Sequence, residues 1–175
     1  MYSTIDYFRL IGYIDYHWAR SLDVRKSTSG YVFHLGSGAI SWASKKQPIV
    51  SLSTIEAEYV AATTAVCHAV WMRRMLWDLC HEKDGATTIF CDKSSEIALS
   101  KNYVFHKRTN HIDAKYHFIR ELVNNGEIVL QHCRSEEKFA DIFTKSLARE
   151  IFFYLRDCLG MVSGGSCDYG GVLEN

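Results

Sequence analysis

Short apolar runs alternate with helical stripes along this chain, and their order limits the possible folds more than any other feature. Three strand-length runs come first, over residues 10–14, 31–35 and 39–42. Residues 36–38 (GSG) separate the last two and predict a hairpin, so three antiparallel strands should open the domain. Two later runs, residues 87–91 and 127–131, are separated by helical segments and predict strands reached by crossovers.

The longest helical signal begins after Ser53 and Thr54, whose hydroxyls can cap a helix. Apolar residues then recur every three or four positions: Tyr59, Ala62, Val66, Ala69, Met72, Leu76 and Leu79. This stripe predicts a helix that packs on the sheet. Further helical segments are expected over residues 94–100, 112–124, 137–147 and 149–159. The resulting order, β-β-β-α-β-α-α-β-α, predicts an α/β domain with a mixed sheet.

Composition excludes several classes of protein. The chain has 175 residues, is 47% hydrophobic and contains one proline, which predicts one compact domain. Its 20 Lys and Arg balance 20 Asp and Glu, so any nucleic-acid site must be a local patch. The six cysteines form no CxxC pair, which favours reduced and mostly buried thiols over a disulfide framework or zinc ribbon. Without a signal peptide or a membrane-length apolar run, we expect an intracellular soluble protein with no membrane partner.

Four acidic residues occupy positions that the predicted fold would bring together. Asp15 and Asp92 each follow a strand-like run, and adjacent parallel strands would place their carboxylates side by side. Glu58 lies on the sheet-facing side of the long helix, and Asp141 lies among apolar neighbours in a later helix. With no buried Lys or Arg expected to match them, a divalent cation would offset their repulsion, and oxygen ligands favour Mg²⁺ or Mn²⁺ over zinc. Taken singly, each acid also fits a turn or a helix cap.

A basic and aromatic stretch near residues 101–113, with the helix after it, supplies candidate phosphate ligands. They are Lys101, Lys107, Arg108, Lys115 and Arg120. A solvated surface explains such a run of charge equally well. Two tryptophans, Trp42 and Trp71, are expected in the core rather than on a surface that stacks on bases.

Several longer stretches carry more specific information. They are residues 12–19 (GYIDYHWA), 25–32 (RKSTSGYV), 40–48 (ISWASKKQP), 55–59 (IEAEY), 90–92 (FCD), 106–113 (HKRTNHID), 116–121 (YHFIRE) and 140–145 (ADIFTK). In this order, the chain resembles the ribonuclease H domain at the C-terminal end of the Pol polyprotein of copia-type retrotransposons. The resemblance covers roughly residues 10–160 and leaves a Gly-rich tail over residues 161–175.

This resemblance implies a ribonuclease H-like fold, in which helices flank a five-stranded mixed sheet. It also implies a metal-dependent endonuclease that cuts the RNA strand of an RNA–DNA hybrid, next to the reverse transcriptase domain of the parent polyprotein. By the same resemblance, the catalytic and metal-binding acids are Asp15, Glu58, Asp92 and Asp141, with Glu56 as a less favoured alternative to Glu58. The cofactor would be two Mg²⁺ (or Mn²⁺) ions that activate water and stabilise the leaving oxygen.

The chain departs from the pattern of the family beside two of these acids. His17 replaces a second acid, Arg20 replaces a glycine, and Lys93 replaces the asparagine that usually follows the second catalytic aspartate. Lys93 could weaken Mg²⁺ binding by repulsion or pair with Asp92. These departures favour a second interpretation, a catalytically weak relic that binds hybrid or duplex nucleic acid. The zero net charge also permits a third, a globular remnant without affinity for nucleic acid.

Overall fold

The computed structural model describes residues 9–18, 26–36, 38–51, 53–79, 85–92, 110–134 and 137–161. Its strands are β1 (Leu10–His17), β2 (Thr28–Leu35), β3 (Gly38–Lys46), β4 (Thr87–Cys91) and β5 (Ile128–His132). Its helices are α1 (Thr54–Asp78), α2 (Asn110–Asn124) and α3 (Arg149–Cys158), with a 3-10 turn at Phe139–Phe143. The helix predicted over residues 94–100 lies outside these ranges, as does nearly all of the Gly-rich tail.

The five strands form one mixed sheet in the order β3-β2-β1-β4-β5. β1, β2 and β3 pair antiparallel, which confirms the predicted opening of the domain. β4 pairs parallel with β1, and β5 pairs parallel with β4, so each is reached by a crossover. The carboxyl ends of β1 and β4 therefore lie together at one edge of the sheet. Flanked by helices, this sheet confirms the predicted α/β architecture.

Helix α1 covers one face of the sheet. Ser53 caps it, because the Ser53 hydroxyl accepts a hydrogen bond from the Glu56 backbone N–H at 3.1 Å. Large side chains between the helix and the strands are fully buried, among them Phe33, Tyr59, Val66, Met72, Ile89 and Ile128. Burial of each such side chain contributes roughly 1.5–3 kcal/mol. The main core therefore holds α1 firmly on β1, β2 and β4.

Gln47 fixes the start of α1 to the sheet. Its Nε2 donates hydrogen bonds to Ser29 Oγ and to the Ala57 carbonyl, each at 2.8 Å. Ser51 Oγ donates to the Oε1 of Gln47 at 2.9 Å. Because Gln47 is only 2% exposed, these contacts satisfy polar groups that would be costly to bury alone. The first turns of α1, which carry Glu58, are thus set at a defined position beside β2.

The opposite face of the sheet carries a smaller core under the 3-10 turn. Its buried members are Tyr13, Val32, Cys133, Ala140 and Leu159. The predicted helix over residues 137–147 is wrong, since the chain forms only the short turn Phe139–Phe143 there. Ser44 Oγ donates to the Phe143 carbonyl at 2.6 Å, and the turn lies directly on Gly30 of β2. Four closely spaced apolar residues, Phe139, Ala140, Ile142 and Phe143, pack on this face.

Two tryptophans contradict their predicted burial. Trp42 is 52% exposed and Trp71 is 55% exposed. Trp42 lies on β3, at the edge of the sheet, and Trp71 stacks on His68 at the outer side of α1, with ring centroids 5.4 Å apart.

The described cysteines differ in burial: Cys91 and Cys133 are buried free thiols, whereas Cys67 is exposed. Within the described residues, no helix has the length and apolarity required to span a bilayer.

His34 makes the stability of the fold sensitive to acid. It is buried between Tyr13 and Phe139, with both ring centroids 5.6 Å from that of His34, and burial lowers the pKa of His34 below its ordinary value of 6.5. Below pH 6.5 the unfolded chain therefore binds a proton at His34 more readily than the folded chain does. The contribution of neutral His34 to the free energy of unfolding is present above pH 6.5, and it is lost as the pH falls through the pKa of the folded state.

Between neutral pH and about pH 5, we expect the free energy of unfolding to fall less in His34→Phe than in the wild type. Urea titrations across this range measure the effect. His132→Gln, at an exposed histidine of β5, is the control and should follow the wild-type curve. An unchanged pH dependence in His34→Phe would refute the assignment.

Candidate active site

The parallel pairing of β1 and β4 sets the position of two acids. Tyr13 on β1 is in register with Phe90 on β4, and Asp15 and Asp92 each follow two residues later. Asp15 lies within β1 rather than after it, because the strand continues to His17. Asp15 and Asp92 line one pocket together with Asp141 from the 3-10 turn. Three of the four predicted acids thus meet at the carboxyl edge of the sheet.

A lysine lies between two of these acids. Lys145 Nζ is 3.1 Å from Asp15 Oδ1 and 3.0 Å from Asp141 Oδ1. The Thr144 hydroxyl donates a hydrogen bond to the other oxygen of Asp15, Oδ2. The expectation that no basic side chain matches these acids is therefore wrong for Asp15 and Asp141. Lys145 is four residues after Asp141, so the turn brings its side chain back to two acids of the pocket, although Lys145 is not itself a lining residue.

Burial and charge act in opposite directions on this cluster. Burial raises the pKa of Asp15, while the hydrogen bond from Thr144 and the charge of Lys145 oppose that rise. Burial alone would lower the pKa of Lys145, but Asp15 and Asp141 together raise it above its ordinary value. Lys145 is consequently a full cation at neutral pH. The side chain of Asp15 is only 11% exposed and that of Asp141 18%, so water screens these interactions weakly.

Glu58 does not line this pocket; it lies on α1 and contacts Tyr16 of β1. It is 4% exposed, and the Tyr16 hydroxyl donates to its Oε1 at 2.5 Å. Burial raises the pKa of Tyr16, and the negative charges of Glu58, Asp92 and Asp15 raise it further. Tyr16 therefore lies within the field of three of the four acids. Glu56 is buried in the first turn of α1, where its backbone N–H is capped.

The donor chemistry of the pocket suits an oxygen-ligated divalent cation. Asp15, Asp92 and Asp141 offer only carboxylate oxygens, the ligands that Mg²⁺ and Mn²⁺ prefer. The Asp15–Asp141 pair already requires a positive charge, which Lys145 supplies. In the described part of the chain, no three His, Cys, Asp or Glu side chains are yet arranged as ligands of one ion. The chemical type of these side chains therefore suits Mg²⁺ or Mn²⁺, although the ammonium group of Lys145 lies between Asp15 and Asp141.

The predicted phosphate ligands divide into two groups. Lys101, Lys107 and Arg108 lie outside the described residues, as do Arg20 and Lys93. Lys115 and Arg120 lie on α2, which packs against α1 rather than beside the acidic pocket. Cys67 of α1 is exposed as a residue, but partial desolvation of its thiol raises the pKa of that group, and the charge of Lys115 opposes the rise. The role of these basic residues stays a prediction.

Four residues that shape the site were given no role in the sequence analysis. They are Tyr16, Gly30, Thr144 and Lys145. The signal for Lys145 is its four-residue spacing from Asp141, which brings oppositely charged side chains together on one turn. Gly30 pairs with Asp15 across β1 and β2. Gly30 matters because Thr144 and Phe143 pack directly against it, and the sequence around Gly30 does not reveal this contact between distant segments.

The chain is similar in sequence to polyproteins of plant transposons. It is 43% identical over 155 residues to the retrovirus-related Pol polyprotein from transposon TNT 1-94 of Nicotiana tabacum, covering 88% of this chain and 12% of that protein. It is 37% identical over 166 residues to the corresponding polyprotein from transposon RE2 of Arabidopsis thaliana, covering 94% of this chain and 11% of that protein. The chain thus spans about a tenth of the length of these relatives. No protein-family model matches it.

Solved structures with a similar fold are ribonucleases H. One is the ribonuclease H1 of the halophilic archaeon Halobacterium salinarum, with a TM-score of 0.51 and 17% identity, covering 75% of this chain and 90% of that one. Another is LC11 ribonuclease H1 in complex with an RNA/DNA hybrid, with a TM-score of 0.51 and 18% identity, covering 76% of this chain and 91% of that one. At this level of identity, the similarity establishes the fold.

Proposed function

We propose that this chain, a homologue of the retrovirus-related Pol polyproteins of plant transposons with a ribonuclease H fold, is a metal-dependent endonuclease that cuts the RNA strand of RNA–DNA hybrids. The observation that carries the proposal is the pocket at the carboxyl ends of β1 and β4, lined by Asp15, Asp92 and Asp141. Glu58 supports it from α1 through Tyr16. Three carboxylates around one pocket repel each other, and the single charge of Lys145 offsets only part of that repulsion, so a further cation would be favourable there.

The residues of this chain would divide the work as follows. Asp15, Glu58, Asp92 and Asp141 would hold two Mg²⁺ or Mn²⁺ ions, which supply an activated water and stabilise the leaving 3′ oxygen. Thr144 orients Asp15 by donating to Oδ2, and Tyr16 orients Glu58 by donating to Oε1. These hydrogen bonds fix the carboxylates before any ligand arrives.

A covalent mechanism through the nearby thiol is disfavoured. Cys133 lines the same pocket, but burial raises the pKa of its thiol to about 11. Its Sγ donates to the Glu137 carbonyl at 3.1 Å. A neutral thiol that is already hydrogen-bonded is a poor nucleophile. Attack by water on the phosphodiester is therefore the reaction that the site supports.

The proposed partner is an RNA–DNA hybrid, with the reverse transcriptase domain of a parent polyprotein as neighbour. LC11 ribonuclease H1, which shares the fold, was solved with an RNA/DNA hybrid. Contacts to 2′-hydroxyls in the shallow minor groove would select RNA, and lysines and arginines would bind phosphates without reading sequence. Lys115 and Arg120 on α2 are the described candidates for phosphate contacts; Lys101, Lys107 and Arg108 complete the proposed set.

Cleavage of a labelled hybrid tests this proposal. We expect the purified chain to cut the RNA strand when Mg²⁺ or Mn²⁺ is added, and Asp92→Asn to lower the rate at least about tenfold, because one carboxylate ligand is lost. Asp157→Asn is a matched control on α3, where the side chain is 63% exposed and pairs with Arg156. Equal rates in wild type and Asp92→Asn would refute the site.

One observation favours a second candidate, a module that binds hybrid without cutting it. Lys145 already pairs with both Asp15 and Asp141 and offsets one of their negative charges, so these two acids hold a counter-ion without an added metal ion. Hybrid binding that weakens steeply with salt, with no cleavage in Mg²⁺ or Mn²⁺, would identify this function. Cleavage that depends on Asp92 would identify the nuclease.

A further inference from the structure

Lys145, which contacts two acids of the pocket, has no role in metal-dependent cleavage as described above. Its ammonium group lies within 3.1 Å of Asp15 Oδ1 and 3.0 Å of Asp141 Oδ1. These acids come from different elements, β1 and the 3-10 turn, and line the same pocket. A lysine that only stabilised the turn would need Asp141 alone. Contact with both acids places the positive charge where a bridging cation would lie.

We propose that Lys145 is an internal counter-ion that competes with divalent cations for Asp15 and Asp141, so that loading of the pocket requires its ammonium group to leave. This inference rests on the proposed function and concerns its regulation. The lysine keeps the acids together while the cation is absent. The affinity of the pocket for a divalent cation is therefore lower in the presence of Lys145 than it would be for the same carboxylates without this lysine.

The arrangement of the carboxylate oxygens supports competition rather than coexistence. The Thr144 hydroxyl already donates to Asp15 Oδ2, which leaves Oδ1 as the oxygen directed to Lys145. The same ammonium group uses Asp141 Oδ1. A cation that bridged the two acids through these Oδ1 atoms would occupy the space of the ammonium nitrogen, and like charges at that separation repel strongly.

The ammonium group of Lys145 can also move away from the two acids. Its side chain is 34% exposed, three times the value for Asp15, so its end can move into solvent without repacking the core. The long, flexible stem of lysine makes such a movement inexpensive compared with moving a backbone segment. The turn that carries Asp141 can therefore stay in place while the charge is exchanged.

The first test measures Mn²⁺ affinity of the full chain without nucleic acid, by isothermal titration calorimetry. We expect Lys145→Met to bind Mn²⁺ about tenfold more tightly than wild type, because a competing charge is removed while the apolar stem is kept. Lys145→Arg keeps the charge and should bind no more tightly than wild type. Lys46→Met is the matched control and should bind Mn²⁺ as wild type does, since Lys46 is an exposed lysine of β3 that does not line the pocket.

A second test needs no substitution, in case Lys145→Met unfolds. Wild-type chain is treated with an amine-acetylating reagent, and the modification of each lysine is measured by mass spectrometry. We expect Mn²⁺ to increase the modification of Lys145 several-fold, since the displaced amine meets solvent, while Lys46, exposed on β3 outside the pocket, changes little. Slower or unchanged modification of Lys145 would overturn the proposal.

The outcomes separate this inference from the proposed function. Equal or weaker Mn²⁺ binding by Lys145→Met overturns competition, and hybrid cleavage that depends on Asp92 would still establish the nuclease. Mn²⁺ binding by Lys145→Arg as tight as that by Lys145→Met also overturns competition, because the charge would then be irrelevant. Absence of Mn²⁺ binding in wild type and every variant overturns both the competition and the metal site.

Discussion

Replacing Asp15 with asparagine should abolish cleavage of an RNA–DNA hybrid while leaving the domain folded. Asp15 is the acid that the site organises most closely, with Thr144 on one carboxylate oxygen and Lys145 on the other. An amide is a far weaker ligand for Mg²⁺ than a carboxylate, so we expect the rate to fall on the order of a hundredfold or more. Single-turnover cleavage at saturating Mg²⁺ measures the loss.

The free energy of unfolding without metal should change by no more than about 1 kcal/mol in Asp15→Asn. Burial penalises the charge of Asp15, and an amide avoids this cost. Its oxygen can still accept from Lys145, and its NH₂ group can donate to the Thr144 hydroxyl. Urea denaturation measures this quantity. Loss of activity with loss of folding would mean that Asp15 is structural, and retained cleavage would remove it from the mechanism.

A methyl group at Gly30 should displace the turn that carries Asp141. A Cβ there would lie 2.6 Å from Thr144 Cγ2 and 2.9 Å from Phe143 Cβ, both closer than normal contact. We expect Gly30→Ala to lower stability by about 1–3 kcal/mol through overpacking. A shift of about 1 Å in catalytic groups can cost roughly a hundredfold in rate, so cleavage should fall further than stability alone explains.

Gly12→Ala provides a matched comparison on the neighbouring strand. A Cβ at Gly12 would lie 2.6 Å from Phe33 Cε1, in the main core on the α1 side. The stability of Gly12→Ala should fall by a similar amount. The added Cβ does not contact the 3-10 turn, however, so the fraction of Gly12→Ala that stays folded should cleave the hybrid at nearly the wild-type rate. Equal losses of activity per unit of lost stability in both variants would contradict the role of Gly30.

The sequence predicted the framework of the site because that framework depends on local patterns. Apolar runs that end near Asp15 and Asp92 indicated strands, and the stripe on α1 indicated which face Glu58 occupies. The parallel pairing of β1 and β4 then brings the two aspartates to one edge, as the rule for α/β sheets requires. The resemblance to ribonuclease H domains of retrotransposons pointed to the same four acids.

Sequence patterns missed what depends on packing between distant segments. The 3-10 turn replaces a predicted helix because this segment packs closely on the sheet. Gly30 of β2 leaves room for Thr144 and Phe143, and Ser44 of β3 donates a hydrogen bond to the Phe143 carbonyl. Trp71 was assigned to the core because it is large and apolar, yet it lies on the outer side of α1 against His68. The ion pairs of Lys145 likewise became visible only when the turn was placed beside β1.

The hydrogen bond between Lys145 and Asp15 joins residues 130 positions apart. During translation, the first strand must therefore wait for nearly the whole domain to emerge before its aspartate gains these neighbours. A chain interrupted before residue 140 would keep the residues of all five strands, but it would lose Asp141, Thr144 and Lys145 together with Ala140 and Leu159 of the smaller core. Late nonsense mutations would thus remove the centre and the cover of one sheet face in a single event, so the final twenty or so described residues serve folding and chemistry together.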